Sequence, residues 1–240
     1  MIIKEIPINT KGIDYIVGDI HGKYSKLIEN LKTINFDFSK DRLFCTGDLV
    51  DRGSQNEECL SLINQDWFET VVGNHELMCL DNHYHSVLYP EMYRMHAANG
   101  GEWFCVLDDE QQKPFVEQIE SLPVMLEVQI DEHTKVGIVH GNVGYDWEEL
   151  KEEVKDIKHI SGSQNRVLMD VLWGRTRIST DNKIPCQNIS HVFVGHSPVQ
   201  NIKTLGNVSY IDTGVVFGLN EDFTIINIKE YLKSTYNLNG

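Results

Sequence analysis

Three short apolar runs in the first third of the chain end alike, each in a glycine followed by a residue able to bind a cation or cap a helix. Residues 13–17 run into Gly18-Asp19-Ile20-His21-Gly22, residues 42–46 into Gly47-Asp48-Leu49-Val50-Asp51-Arg52-Gly53, and residues 70–72 into Gly73-Asn74-His75-Glu76. Between them the spacing changes to that of a helix. Leu27, Ile28, Leu31 and Ile34 share one face of 23–34, and Cys59, Leu60 and Ile63 share one face of 56–65. This is a βαβαβ pattern, and right-handed crossovers bring the three strand ends to one edge of a parallel sheet. In open α/β sheets that edge holds the ligand.

The rest of the chain extends the α/β reading. Residues 77–122 are polar and aromatic, broken at Asn99-Gly100-Gly101, Pro114 and Pro123, and read as a mostly helical excursion. Strand-like runs follow at 124–130, 136–139, 192–194, 208–211 and 223–228, with helical stretches near 147–155 and 166–173. So many strands predict two packed sheets flanked by helices. No repeat or linker divides the chain, so one domain over 1–240 is expected.

Composition narrows the partners. Asp and Glu number 36 against 21 Lys and Arg, a formal net charge of −15, which disfavours extended nucleic acid and anionic membranes. No run reaches the roughly 18 apolar residues of a membrane span, and Lys4, Glu5 and Pro7 interrupt any signal-peptide core. The five cysteines form no CxxC pair. A reducing cytoplasm is therefore expected, without a disulfide framework or a thiolate zinc site.

Taken singly, Asp19, Asp48 or Asn74 could be a helix N-cap, and the glycines could make tight turns. Three repetitions on one edge weaken that reading, because converging carboxylates repel unless something positive lies between them. His140 in Val139-His140-Gly141-Asn142 and His196 in Gly195-His196-Ser197-Pro198 follow two later strands. A lone histidine there is commonly structural, but here the two complete a donor set. Asp19, His21, Asp48, Asn74, His140 and His196 offer carboxylate, imidazole and one amide oxygen, a mixture suited to Mn²⁺, Fe²⁺ or Zn²⁺.

The order GDIHG, GDLVDRG, GNHE, HGN, GHSP resembles the phosphoprotein phosphatase superfamily of metallophosphoesterases, from about Ile13 to Phe223. The likeness extends to Asn99-Gly100-Gly101 with Trp103-Phe104, to Trp173-Gly174-Arg175 and to Tyr210-Ile211-Asp212-Thr213-Gly214, and is strongest to the short bacterial and bacteriophage branch typified by the lambda phage protein phosphatase. The resemblance implies the calcineurin-like fold, two mixed β-sheets sandwiched between helices. It also implies two divalent ions, Mn²⁺ before Fe²⁺ or Zn²⁺. Asp19, His21 and Asp48 would hold the first, and Asp48 would bridge to a second held also by Asn74, His140 and His196.

By the same resemblance Arg52 and Arg175 bind the phosphate, beside Asn74, with guanidinium forks that match its oxygens. His75 is the general acid for the departing alkoxide and Asp51 orients it, without excluding a capping role for Asp51. The implied activity is hydrolysis of phosphoserine and phosphothreonine monoesters in proteins, and of phosphotyrosine, by a metal-bridging hydroxide. A related branch offers the alternative of a diadenosine tetraphosphate hydrolase or a pyrophosphohydrolase that removes nucleotide caps. A non-catalytic metal- or partner-binding module is the third reading, disfavoured by the complete ligand set. Other features take plain roles: His83 and His85 as surface, the acidic run from Glu148 to Asp156 as an exposed helix face, Trp67-Phe68 and Trp103-Phe104 as core, Glu76 as support, and His191 as a buried residue without an assigned partner.

Overall fold

The computed structural model describes residues 2–236. Its strands are β1 (Ile3–Ile6), β2 (Asp14–Val17), β3 (Arg42–Cys45), β4 (Phe68–Thr70), β5 (Met125–Gln129), β6 (Lys135–Ile138), β7 (His191–Val194), β8 (Lys203–Leu205), β9 (Val208–Tyr210) and β10 (Ile226–Asn227). The helices are α1 (Tyr24–Thr33), α2 (Asn56–Ser61), α3 (Asn74–His85), α4 (Pro90–His96), α5 (Glu102–Cys105), α6 (Asp109–Glu120), α7 (Trp147–Val154), α8 (Arg166–Trp173), α9 (Thr176–Ser179) and α10 (Ile228–Tyr236).

Two mixed sheets form, as expected. One is four-stranded in the order β10-β2-β3-β4, with β2, β3 and β4 parallel. The other is six-stranded in the order β1-β5-β6-β7-β9-β8, with β6, β7 and β9 parallel. Alternation along the strands explains how they stack. Ile16 and Phe44 of the small sheet join Leu126, Val136, Ile138 and Phe193 of the large one in a core between the sheets. Their neighbours Val17, Leu43 and Cys45 turn the other way, onto Leu27, Leu31 and Cys59 of the covering helices. Successive side chains of a strand face opposite sides, so each strand serves both layers.

Several boundaries differ from the sequence reading. The third strand is Phe68–Thr70 rather than 70–72. Val71 and Val72 are fully buried but lead out of the sheet toward α3, so burial and strand pairing part company there. The helix expected over 56–65 ends at Ser61 and tightens into a 3₁₀ turn at Leu62–Asn64. The run 223–228 supplies only a two-residue strand, because Ile228 already opens α10. β1 pairs with β5 at the sheet edge, and its Lys4 and Glu5 hid it from the apolar-run criterion.

Candidate active site

The parallel strands of both sheets deliver their C-terminal ends to one cleft. Asp19 and His21 follow β2, Asp48, Asp51 and Arg52 follow β3, and Asn74, His75 and Glu76 form the first turn of α3. From the large sheet His140 follows β6, His196 follows β7 and Asp212 follows β9, while Arg175 lies between α8 and α9. The turns are strained. Among the described residues eight non-glycine residues have positive φ, including His21 (46°), Asp48 (52°), Asp51 (72°), Arg52 (68°) and His196 (61°). Each costs roughly 1 kcal/mol. Their concentration at this edge singles it out from the rest of the molecule.

Asp48 is the hub. Its Oδ2 lies 3.3 Å from His140 Nε2, 3.6 Å from His21 Nε2 and 3.9 Å from His75 Nε2. Asp19 Oδ2 stands 4.0 Å from His21 Nε2, and Asn74 Oδ1 is 2.8 Å from His140 Nε2. Asp48, His140 and His196 form one buried group able to hold an ion, and His21, Asp48 and His75 form another. Distance alone thus admits His75 beside the six ligands read from the sequence. Asp19 is held by the backbone N–H of His196 at 3.0 Å and by the Thr46 hydroxyl at 3.1 Å.

The histidine rings are oriented for metal ligation. His21 Nδ1 donates to the Val50 carbonyl at 2.8 Å and His140 Nδ1 to the Thr46 carbonyl at 2.7 Å. Each ring thereby turns the lone pair of Nε2 into the cleft, as the second hydrogen bond of a metal-binding histidine does. At His140 that nitrogen faces oxygens of Asp48 and Asn74, an arrangement that a proton or a metal ion between them satisfies. Arg52 Nη1 lies against His21 Nε2 and its guanidinium covers the Phe217 ring at 4.8 Å. Arg175 donates to the His196 carbonyl at 2.9 Å and to the Ser197 hydroxyl at 3.3 Å.

The charges tell the same story. Burial, with Asp212 and Asp48 nearby, pushes the Asp19 carboxyl well above its ordinary range. Burial and Asp48 likewise raise Asp212 to about 6, and its Oδ2 is buried without a partner. Against the cost of burial, Asp48 draws His140 up to about 9, whereas burial lowers His21 and His196 to about 3. Against the cost of burial, His140, His75 and His21 hold Asp48 below its ordinary range, whereas Asp19 and Asp212 are pushed toward protonation, and carboxylates so crowded make a site for added positive charge. The donor set fits divalent metal ions, with no sulfur among these groups.

Asp212, His96 and Trp103 escaped sequence reasoning as contributors to the site, and Glu76, read as support, has a specific part in it. Glu76 accepts the backbone N–H groups of Gly73, Asp48, Leu49 and Val50 at 2.8 to 3.3 Å, pinning the turn after β3 to the start of α3. Asp212 had a motif but no role. His96 and Trp103 reach Asp51: the Trp103 ring packs on the core as expected, but its Nε1–H donates to Asp51 Oδ1 at 2.7 Å. No spacing rule links residues 45 and 52 positions from their partner. His83 instead bonds Gln112 at 2.8 Å, apart from the cleft groups.

Residues 15–218 match the family model described as calcineurin-like phosphoesterase. The chain belongs to that family. The phosphoesterase is accordingly a metal-site hydrolase. It is 34% identical over 210 residues to serine/threonine-protein phosphatase 1 of Salmonella typhimurium, covering 85% of this chain and 87% of the relative. A symmetrical bis(5'-nucleosyl)-tetraphosphatase of Actinobacillus succinogenes is 29% identical over 136 residues, covering 56% of the phosphoesterase and 46% of that relative. Among solved structures, a protein serine/threonine phosphatase from Saccharomyces cerevisiae superposes with a TM-score of 0.60 at 19% identity, over 87% of this chain and 70% of that one. That likeness is one of fold. No helix among the described residues is long and apolar enough to cross a membrane.

Proposed function

We propose that the protein is a serine/threonine protein phosphatase that hydrolyses phosphoserine and phosphothreonine in phosphoproteins, accepts phosphotyrosine, and uses two divalent ions, Mn²⁺ before Fe²⁺ or Zn²⁺. The near full-length match to a serine/threonine-protein phosphatase carries the substrate class. The single-domain reading over 1–240 goes with it, supported by a family match that runs through both sheets. The cytoplasm is the compartment proposed, from the thiols left unpaired.

In this reading Asp19, His21 and Asp48 hold one ion, and Asp48, Asn74, His140 and His196 hold the other. When bound, two such ions supply Lewis-acid polarisation of the phosphoryl oxygens and a water acidified toward neutral pH. The remaining steps belong to side chains of this chain. Arg52 and Arg175 are exposed at the mouth of the cleft, where their guanidinium forks can take phosphate oxygens, with the Asn74 amide beside them. His75 is buried with Nδ1 2.7 Å from Asp51 Oδ2, so its Nε2 faces the cleft. As the phosphorus–oxygen bond breaks, that nitrogen gives its proton to the departing serine or threonine oxygen. Proton delivery to so poor a leaving group contributes about 10² to 10⁴ in rate.

The test is turnover of a phosphoserine peptide and of diadenosine tetraphosphate side by side with Mn²⁺. The peptide should be the better substrate by kcat/KM. Turnover of the dinucleotide alone would transfer the protein to the tetraphosphatase reading.

A further inference from the structure

Asp51 has no solvent exposure, and both its oxygens are engaged. Oδ2 lies 2.7 Å from His75 Nδ1 and 3.1 Å from His96 Nε2, and Oδ1 accepts from Trp103 Nε1 at 2.7 Å and lies 3.2 Å from His96 Nε2. His96 is itself fully buried, with its Nδ1 3.3 Å from Asn82 Nδ2. Its Nε2 stands against both oxygens of the Asp51 carboxylate, which can only accept, so the ring proton there is directed at Asp51. Three N–H groups therefore converge on one carboxylate from three directions.

The chain pays special attention to building this arrangement. A Cβ on Gly101 would come within 2.0 Å of the His96 ring, so only glycine lets the ring sit where it does. The adjacent Gly100, at φ 96°, offers its carbonyl to the Arg52 backbone N–H at 3.1 Å, and a Cβ there would lie 2.7 Å from that nitrogen. One Asn99-Gly100-Gly101 segment thus makes room for the His96 ring and ties down the backbone of Arg52, the residue after Asp51.

We propose that Trp103 and His96 are positioning residues: they clamp the Asp51 carboxylate so that Oδ2 stays on His75 Nδ1 and His75 Nε2 stays aimed at the departing oxygen. A carboxylate held by His75 alone could rotate about its side-chain bonds, and the imidazole would rotate with it. Two further donors from a core indole and a core imidazole remove that freedom before substrate arrives, which is the preorganisation a proton donor needs.

The proposal rests on His75 as the proton donor, and the experiment separates the two. The protein as a whole, loaded with Mn²⁺, is assayed with a phosphoserine peptide, whose alkoxide needs a proton, and with p-nitrophenyl phosphate, whose phenolate leaves without one. The ratio of the two kcat values is independent of how much of a preparation is folded. Trp103→Phe keeps the ring and loses the donor, and should lower that ratio about ten-fold with KM unchanged. His96→Leu should lower it less, its contacts being longer. His75→Asn is the reference and should lower it most. A lowered ratio in His75→Asn with an unchanged one in Trp103→Phe would overturn the clamp and leave the proton donor standing. An unchanged ratio in His75→Asn would remove the donor, and the clamp with it.

Discussion

Two buried carboxylates of this molecule each accept an indole N–H, and they have opposite surroundings. Glu127 on β5 accepts Trp147 Nε1 at 2.8 Å and is flanked by Lys135 Nζ at 2.7 Å and Lys151 Nζ at 3.1 Å. Asp51 accepts Trp103 Nε1 at 2.7 Å and is flanked by His75 and His96. Burial opposes ionisation at both. Lys135, Trp147 and Lys151 hold the Glu127 carboxyl below its ordinary range, and His75 and His96 hold Asp51 at about 2. Lysines supply permanent charge, so the Glu127 carboxylate is compensated by two ammonium groups and, through Trp147 and Lys151, joins α7 to the large sheet. Imidazoles can pass a proton on. Beyond Asp51 lie Asp19, Asp48 and Asp212, buried with no lysine among the contacts of their carboxylates. A carboxylate compensated by lysines holds a fold together, and carboxylates left without such partners await cations and substrate.

The difference can be broken at either end. The largest effect is expected at the hub: Asp48→Asn should abolish tight metal binding, read by metal analysis after dialysis, and lower kcat at least about 10³-fold, while the melting point of the metal-free protein changes little. Chelation of the unsubstituted protein should do the same to activity, and added Mn²⁺ should restore it. Next comes His75→Asn, with kcat on a phosphoserine peptide down about 10²- to 10⁴-fold and two metal ions still bound. Loss of an ion there would recast His75 as a ligand, which its 3.9 Å approach to Asp48 permits.

Glu127→Gln attacks the compensated carboxylate and should show the converse, about 3 kcal/mol of stability lost in urea unfolding with kcat per folded molecule retained. The smallest effect concerns His191, fully buried between Ser209 Oγ at 2.9 Å and Tyr236 OH at 2.7 Å. Burial lowers it to about 3, against about 6.5 unfolded. Between those values the unfolded chain binds a proton that the native one refuses. Stability should therefore be lost as pH falls below 6.5, by at most about 1.4 kcal/mol per pH unit, and be unaffected above it. His191→Gln should flatten that slope between pH 6.5 and 4.5.

How much was legible follows from how local each signal is. Leu27, Leu31 and Cys59 declare their helices because a face repeats within one helix, and Asp19, Asp48 and Asn74 announce themselves because each ends a strand within a few residues. Edge strand β1 carries Lys4 and Glu5 and so lacked an apolar run. Trp103 read as core because a ring beside Phe104 has no local mark of where its N–H points, and Glu76 read as support without revealing that it ties two loops together.

Acting alone, the sequence determined the α/β class, the parallel order of the first three strands and the chemistry of the donor set, because strand period, crossover handedness and the affinities of carboxylate and imidazole are properties of short segments. Only the tertiary structure decided which carboxylates would be balanced and which left to seek a cation. Asp51 meets His96 and Trp103 across 45 and 52 residues, and Asp19 meets the His196 backbone across 177. Charge acts through space, and whether a buried carboxylate finds a lysine or an imidazole depends on where the folded chain returns.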